Sequence, residues 1–324
     1  MRLGFAVKVL GAGGLPSHDA RRWRSGPHLS VSLGKLEAIL GYLDEEGIGM
    51  YRMATALAPY ASHPDLPQFH GQVAECGDRL AEIGERARRL EIRLSTHPGQ
   101  YTVLNSEDEA TRRNAAAELE VQAALMDGMG LPPESVVVLH VGGAAGGTAA
   151  GADRFLRAFE EMSDAARSRL VIENDDRSYG VLAVADLARR AGVPMVLDLL
   201  HHRCHDPDGL GDREALEIAL ATWPEGVKPK VHFSSSRLDV SERRRKVGRR
   251  VERSWVLPEC RAHADMIDAV AFEAFIRDTA AGLPDFDVML EAKAKDLALL
   301  RLRDQLARRG IELERAAAGV GTPA

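Results

Sequence analysis

The chain alternates between short apolar runs and longer segments in which apolar residues recur every three or four positions. Runs such as Val136-Val137-Val138-Leu139 are apolar on both faces, as buried parallel strands are. Strands are predicted at 2–10, 50–53, 91–96, 135–140, 170–173, 194–198, 229–233 and 287–291. Helices are predicted near 34–47, 71–90, 109–128, 151–167, 181–191, 213–222, 269–283 and 295–309. In the segment 71–90, Val73, Cys76, Leu80, Ile83, Ala87 and Leu90 form one apolar face with charges opposite. Eight strands, each followed by a helix, predict an α/β fold: one (β/α)8 TIM barrel over residues 1–310 of a 324-residue chain. An open doubly wound sheet would need a phosphate-binding glycine fingerprint after the first strand. Gly11-Ala12-Gly13-Gly14 lacks that spacing and reads as a flexible loop. Two segments break the rhythm. Residues 235–262 form a long loop carrying Arg243, Arg244, Arg245, Lys246, Arg249, Arg250 and Arg253. Residues 311–324 are rich in Ala and Gly and are expected to be a disordered tail.

Composition narrows the class. No apolar run approaches the ~18 residues that a membrane span requires. The N-terminus shows no secretory signal, and three cysteines, Cys76, Cys204 and Cys260, suit a reducing cytoplasm better than a disulfide framework. The net charge of -6 argues at first against a polyanionic partner. Bound divalent cations would offset it, and net charge ignores where the charges sit.

The candidate chemistry stands at the strand ends, where barrels of this kind place their active sites. His97 follows the third predicted strand and His140 ends the fourth. Glu173 ends the fifth, and Asp198 ends the sixth with His201 three residues on. His232 lies in the seventh with Lys230 two before it on the same face, His263 lies in the following loop, and Glu291 ends the eighth. Each alone could be an ordinary buried polar group. Together they are good ligands for borderline or hard divalent metals. Carboxylates can bridge ions, so five histidines and three acids suit a cluster of two or three metals, the arrangement that hydrolyses phosphodiesters. After His97, the Pro98-Gly99 turn pushes Gln100 and Tyr101 outward, one flat amide and one flat ring able to stack on bases. His63 follows the second strand and could contact substrate or a metal-bound water. Among His201, His202 and His205, His201 is read as the functional one. His18, His28 and His70 read as surface loop residues.

These motifs resemble the ultraviolet damage endonuclease family, a barrel relative of endonuclease IV. The matching pieces are Leu3-Gly4-Phe5, Tyr51-Arg52-Met53, Ala61-Ser62-His63-Pro64, His97-Pro98-Gly99-Gln100-Tyr101 and Leu139-His140-Val141-Gly142-Gly143. Further along come Glu173-Asn174-Asp175, Asp198-Leu199-Leu200-His201-His202, Pro229-Lys230-Val231-His232, Arg261-Ala262-His263-Ala264-Asp265 and Glu291-Ala292-Lys293. The resemblance implies a DNA repair enzyme acting on double-stranded DNA; a monomer in the cytoplasm is expected. It would cut immediately 5′ to pyrimidine photoproducts, leaving a 3′-hydroxyl and a 5′-phosphate, with manganese or a similar divalent cluster and no nucleotide cofactor. The implied metal ligands are His97, His140, Glu173, Asp198, His201, His232, His263 and Glu291. Glu173, Lys230 and His232 are expected at the catalytic centre, Lys230 matching a lysine that can be carboxylated. Gln100 and Tyr101 match residues that probe the duplex at the lesion. Phe5 stands where the family often has tyrosine, and is expected to stack on the damaged base without donating a hydrogen bond. Arg52 reads equally as a phosphate or lesion contact and as a structural ion pair. The basic loop is longer than the family's pattern suggests. Arg243, Arg244 and Arg245 are expected to contact phosphates, the alternative being a solvated charged face. The rival function is a metal-dependent sugar isomerase or epimerase on the same barrel. That would need a small closed pocket, against which the histidine excess, the Gln100-Tyr101 tip and the basic loop argue. An intact ligand set argues against a non-catalytic DNA-binding barrel.

Overall fold

The computed structural model describes residues 1–248 and 250–313. In chain order the strands are β1 (Leu3–Ala6), β2 (Met50–Arg52), β3 (Arg93–Ser95), β4 (Val137–His140), β5 (Leu170–Glu173), β6 (Met195–Val196), β7 (Lys230–Phe233), β8 (Ser241–Val247), β9 (Arg250–Val256) and β10 (Asp287–Leu290). All neighbours except the β8–β9 pair are parallel. One sheet runs β3-β2-β1-β10-β7 and another β4-β5-β6. Single parallel bridges, Thr96 to Val137 and Asp198 to His232, join them at both ends. The strands therefore follow one another round a ring, with helices packed outside, which is the TIM barrel expected from the sequence.

Side-chain parity sorts each strand into an inward and an outward face. Val136, Val138, Val171, Val196 and Trp223 form a small cluster of their own inside the ring. The large outer core lies between strands and helices and includes Phe5, Tyr51, Leu94, Leu139 and Ile172. The lower end of the barrel holds an ion cluster that the sequence reading did not anticipate. Arg93 and Asp287 are both fully buried, with a guanidinium nitrogen 2.9 Å from the carboxylate. Arg2 joins the same carboxylate at 2.7 Å, and Lys228 at 3.3 Å. The Arg93 guanidinium also lies 5.7 Å from the Trp223 ring centre.

Several boundaries move. The first strand stops at Ala6 rather than continuing to residue 10, because Val7 adopts φ 67°. A β-branched residue pays for that conformation, and the Val7 amide is held by Arg52 O at 2.9 Å. The first long helix starts at Leu29, five residues earlier than expected, because the His28 ring accepts a hydrogen bond from Ser30 N. The segment 151–167 divides into Thr148–Glu160 and Asp164–Arg169, the second helix capped by Ser163. The basic segment is not a loop: β8 and β9 pair as a solvent-exposed antiparallel hairpin, turning at Gly248 with φ 61°. Of the expected tail, Ile311 and Leu313 pack against the core, while residues 314–324 lie outside the described residues. No helix among the described residues is long and apolar enough to cross a membrane.

Candidate metal and nucleic-acid site

The upper rim gathers the predicted ligands around one carboxylate. Glu173 is fully buried at the end of β5. Its Oε1 lies 2.9 Å from His232 Nδ1, and its Oε2 lies 2.8 Å from His97 Nε2 and 3.7 Å from His140 Nε2. His201 Nδ1 stands 3.7 Å from Glu173 and 3.8 Å from Asp198. Glu291 lies 3.4 Å from His232 Nδ1 and 3.7 Å from His263 Nδ1. Potential ligand atoms converge in three overlapping triads: His97–His232–Glu291, His97–His140–Glu173 and Glu173–Asp198–His201. Of the eight expected ligands, only His263 falls outside these triads, at the edge beside His201 with ring centres 6.3 Å apart.

Local structure fixes these groups. Asp198 caps the short helix Leu199–Cys204, accepting from His201 N at 2.8 Å, and so sets both ligands at once. Asn174, which sequence reasoning passed over, ties β5 to β6: its side chain donates to Asp198 O at 3.0 Å and accepts from Asp198 N at 2.8 Å. Its own carbonyl lies 3.1 Å from His201 Nδ1 and orients that ring. Its place after Glu173 does not by itself mark it, since its partner Asp198 lies 24 residues further on. Gly142, with φ 107°, lets the chain after His140 pass Asn105; an added Cβ would stand 2.3 Å from Asn105 Oδ1.

The electrostatics are those of a cation site. Burial works against the Glu173 charge, but His232, His140 and His97 hold its carboxyl well below the usual range. Burial likewise opposes Glu291, where Arg52 and His232 prevail. Asp198 goes the other way, pushed up by burial and by its acidic neighbours. His201 is pushed up to about 9, because Asp198, Glu173 and Glu291 outweigh the cost of burying its charge. Lys230 is fully buried and falls well below the ordinary lysine value through burial and the nearby Arg93 and Arg52. Glu173 Oε2, Asp198 Oδ2, His232 Nε2 and Lys230 Nζ have no hydrogen-bond partner among the described residues. Buried polar atoms left open in this way are costly without a cation. The residues present therefore fit a divalent metal.

The remaining predicted residues divide. Gln100 and Tyr101 project from the turn after His97, with Tyr101 84% exposed. A cavity of about 580 Å3, lined by Gln100, His140, His201, Arg177 and Arg261, lies on one side. A groove of about 750 Å3, lined by Tyr101, Tyr60 and His63, lies on the other. His63 is thus an exposed groove residue outside the ligand cluster. Arg52 faces inward and pairs with Glu291, the ion-pair reading rather than a free phosphate contact. Phe5 corrects an expectation. It is fully buried, points outward from the barrel wall and meets Tyr51 edge-on at 5.4 Å, so it offers no surface to a damaged base. His202 turns away from the cluster and is buried 4.0 Å from Asp212. Arg243, Arg244 and Arg245 do not act as one patch, because adjacent residues of β8 face opposite sides.

A parallel barrel whose C-terminal rim gathers histidines around buried carboxylates has the donor set of a divalent-metal site. Comparisons narrow this. A family profile described as UV-endonuclease UvdE matches residues 30–317. The UV DNA damage endonuclease of Bacillus velezensis is 31% identical over 306 residues, covering 93% of this chain and 89% of that one. The crystal structure of SacUVDE superposes with a TM-score of 0.78 at 26% identity, over 96% of this chain and 99% of that one. Endonuclease IV from Thermus thermophilus shares the fold, with a TM-score of 0.56 at 16% identity over 95% and 100% of the two chains. The chain belongs to the UV-endonuclease UvdE family, and so to the nucleases. That membership sets aside the sugar isomerase reading.

Proposed function

We propose that this protein incises double-stranded DNA immediately 5′ to ultraviolet photoproducts, leaving a 3′-hydroxyl and a 5′-phosphate, through a cluster of two or three divalent ions, manganese by preference. The observation that carries the reading is the set of overlapping ligand triads in which buried Glu173 and Asp198 face histidine nitrogens at contact distance. His97, His140, Glu173, Asp198, His201, His232 and Glu291 would hold the ions, with His263 closing the edge. Ions bound there would supply an activated water and neutralise charge on the phosphate. Glu173 and Asp198 keep their positions through strand ends and a helix cap rather than through flexible loops. Arg52 holds Glu291 in place and balances its charge. Burial and the nearby Arg93 and Arg52 lower the proton affinity of Lys230, which favours the neutral amine, the form that adds to carbon dioxide and releases a proton as the carbamate forms. Carboxylation would turn Lys230 into a further anionic ligand.

Lesion finding falls to the tip. A photoproduct weakens stacking, so extruding it costs less than extruding normal bases. Gln100 and Tyr101 fill the gap left in the duplex. Irradiated plasmid incubated with the protein and manganese tests the function directly. Nicks should appear only in irradiated plasmid, map to the 5′ side of pyrimidine pairs and vanish with chelator; intact irradiated plasmid would defeat the reading. The variant carrying Gln100→Ala and Tyr101→Ala should keep its metal content. Its affinity for a lesion duplex should fall by about tenfold to a hundredfold, from a stacking term of about 1–3 kcal/mol. Full discrimination between irradiated and undamaged duplexes by that variant would place recognition elsewhere.

A further inference from the structure

The β8–β9 hairpin serves no part of the barrel. It stands out from the segment between β7 and the helix Ala269–Ala274, and its residues from Glu242 to Trp255 that are described are exposed on their side chains or nearly so. A lone two-stranded hairpin is marginal in water. Among the described residues, the exposed large hydrophobics include Leu238, Val240, Val247, Val251, Trp255 and Leu257, all within this one arm. Its base, however, is anchored at the rim: Ser236 bridges to His263, and Arg237 N donates to Ala262 O at 2.6 Å. The arm therefore begins beside the candidate metal cluster and carries a strong positive charge away from it.

Register separates its two faces, because directly opposed residues of an antiparallel pair share a side. One face carries Glu242 with Trp255, Arg244 with Arg253, and Lys246 with Val251. There the Glu242 carboxylate takes up Arg244 at 2.9 Å and Arg253 at 3.4 Å. The other face carries Arg243 with Ser254, Arg245 with Glu252, and Val247 with Arg250. No salt bridge or side-chain hydrogen bond engages Arg243, Arg245 or Arg250 among the described residues. Arg243 and Arg245 are two residues apart, about 6.6 Å along the strand. Long arginine side chains at that spacing can reach neighbouring phosphates of one strand, which carries one negative charge per about 3.4 Å of axis.

We propose that the hairpin is an arm that grips the DNA duplex beside the incision site, and that the face of Arg243, Arg245 and Arg250 makes the phosphate contacts. The proposal rests on the nuclease reading for its partner, but it assigns a different surface and a different role: affinity for any duplex, without lesion discrimination. A strand of seven residues spans about 23 Å, so the arm can follow about seven base pairs. The two faces carry the same net charge, three cations and one acid each, but on the paired face Glu242 holds Arg244 and Arg253 in ion pairs, so fewer of its cations are free for phosphate.

The test uses two triple variants of the full chain, Arg243→Ala/Arg245→Ala/Arg250→Ala and Arg244→Ala/Lys246→Ala/Arg253→Ala. Both remove the same formal charge from exposed positions. Affinity for an undamaged duplex is measured over a salt series. For the first variant the slope of log affinity against log salt should fall by about 2.7, roughly 0.9 for each lost contact, and affinity at low salt should drop accordingly. The second should change the slope by less than about 0.9. An unchanged slope in the first variant, or an equal fall in both, overturns the proposal; the equal fall would mean diffuse charge rather than a contacting face. Lesion-dependent nicking by the unaltered chain is scored separately, so the arm and the nuclease reading can fail independently.

Discussion

Glu173→Gln is expected to abolish lesion-dependent nicking while leaving the barrel folded. Glu173 belongs to two of the three ligand triads and touches His97, His140, His201 and His232 within 3.7 Å. The amide keeps the size of the side chain but removes its charge and one acceptor, so the groups around it lose their common partner. Changes merely behind a metal ligand typically cost tenfold to a hundredfold, so loss of the shared ligand should exceed about a hundredfold in rate at saturating manganese. The far-UV circular dichroism spectrum should match that of the parent. A metal-dependent rise in melting temperature, expected of the parent because ions bind only the folded state, should disappear. Near-parental nicking with an intact metal-dependent rise would remove Glu173 from the centre of the site.

Asp287→Ala should be the most destabilising single change outside the outer core. It leaves Arg93, fully buried, without its carboxylate. Breaking a buried ion pair by removing one partner costs about 3–5 kcal/mol, because the remaining charge stays buried. Urea unfolding of the variant and the parent measures the difference; a loss under about 1 kcal/mol would mean that Arg93 finds another partner or water. The pair also fixes a pH dependence. Burial opposes the Asp287 charge, but Arg2 and Arg93 hold its carboxyl at about 2. A carboxyl depressed on folding gives stability that is complete above its unfolded value near 3.9 and is lost as pH falls towards the folded value. The parent should therefore lose stability between about pH 4 and pH 2 more steeply than Asp287→Asn, which has no proton to gain there.

Much of this was legible in the chain. The apolar runs located every barrel strand, and reading their last residues located Glu173, Asp198, His140 and Glu291 on one rim, because parallel strands in a barrel all end on the same side. Parity was the information left unused. Phe5 and Tyr51 are register partners on neighbouring strands, so once Arg52 is turned inward to Glu291, Tyr51 and Phe5 must turn outward into the core. Counting by twos from Arg52 would have removed Phe5 from the lesion contacts. The same count separates Arg243 and Arg245 from Arg244, but it needs the knowledge that the segment is a strand. Seven residues of mostly like charge carry no apolar alternation to announce one. The Arg93–Asp287 pair was hidden for a different reason: its members are 194 positions apart, and only barrel closure brings their strands to a common floor. Nor could the sequence show that Asn174 ties β5 to β6, since that role depends on where the adjacent strand ends.

The floor and the rim share their supports. On β3, Arg93 at the bottom lies four residues before His97 at the top; on β10, Asp287 lies four before Glu291; just ahead of β7, Lys228, 3.3 Å from Asp287, lies four before His232. Three staves of the barrel are thus pinned at one end by ions of the protein's own and offer ligands at the other. Heritable variation at the two ends is expected to be coupled accordingly. A substitution that rebuilds the floor is expected to shift the candidate ligands at the rim. Substitutions that restore the activity of a rim mutant should then be sought at the opposite end of the same staves as well as beside the lesion.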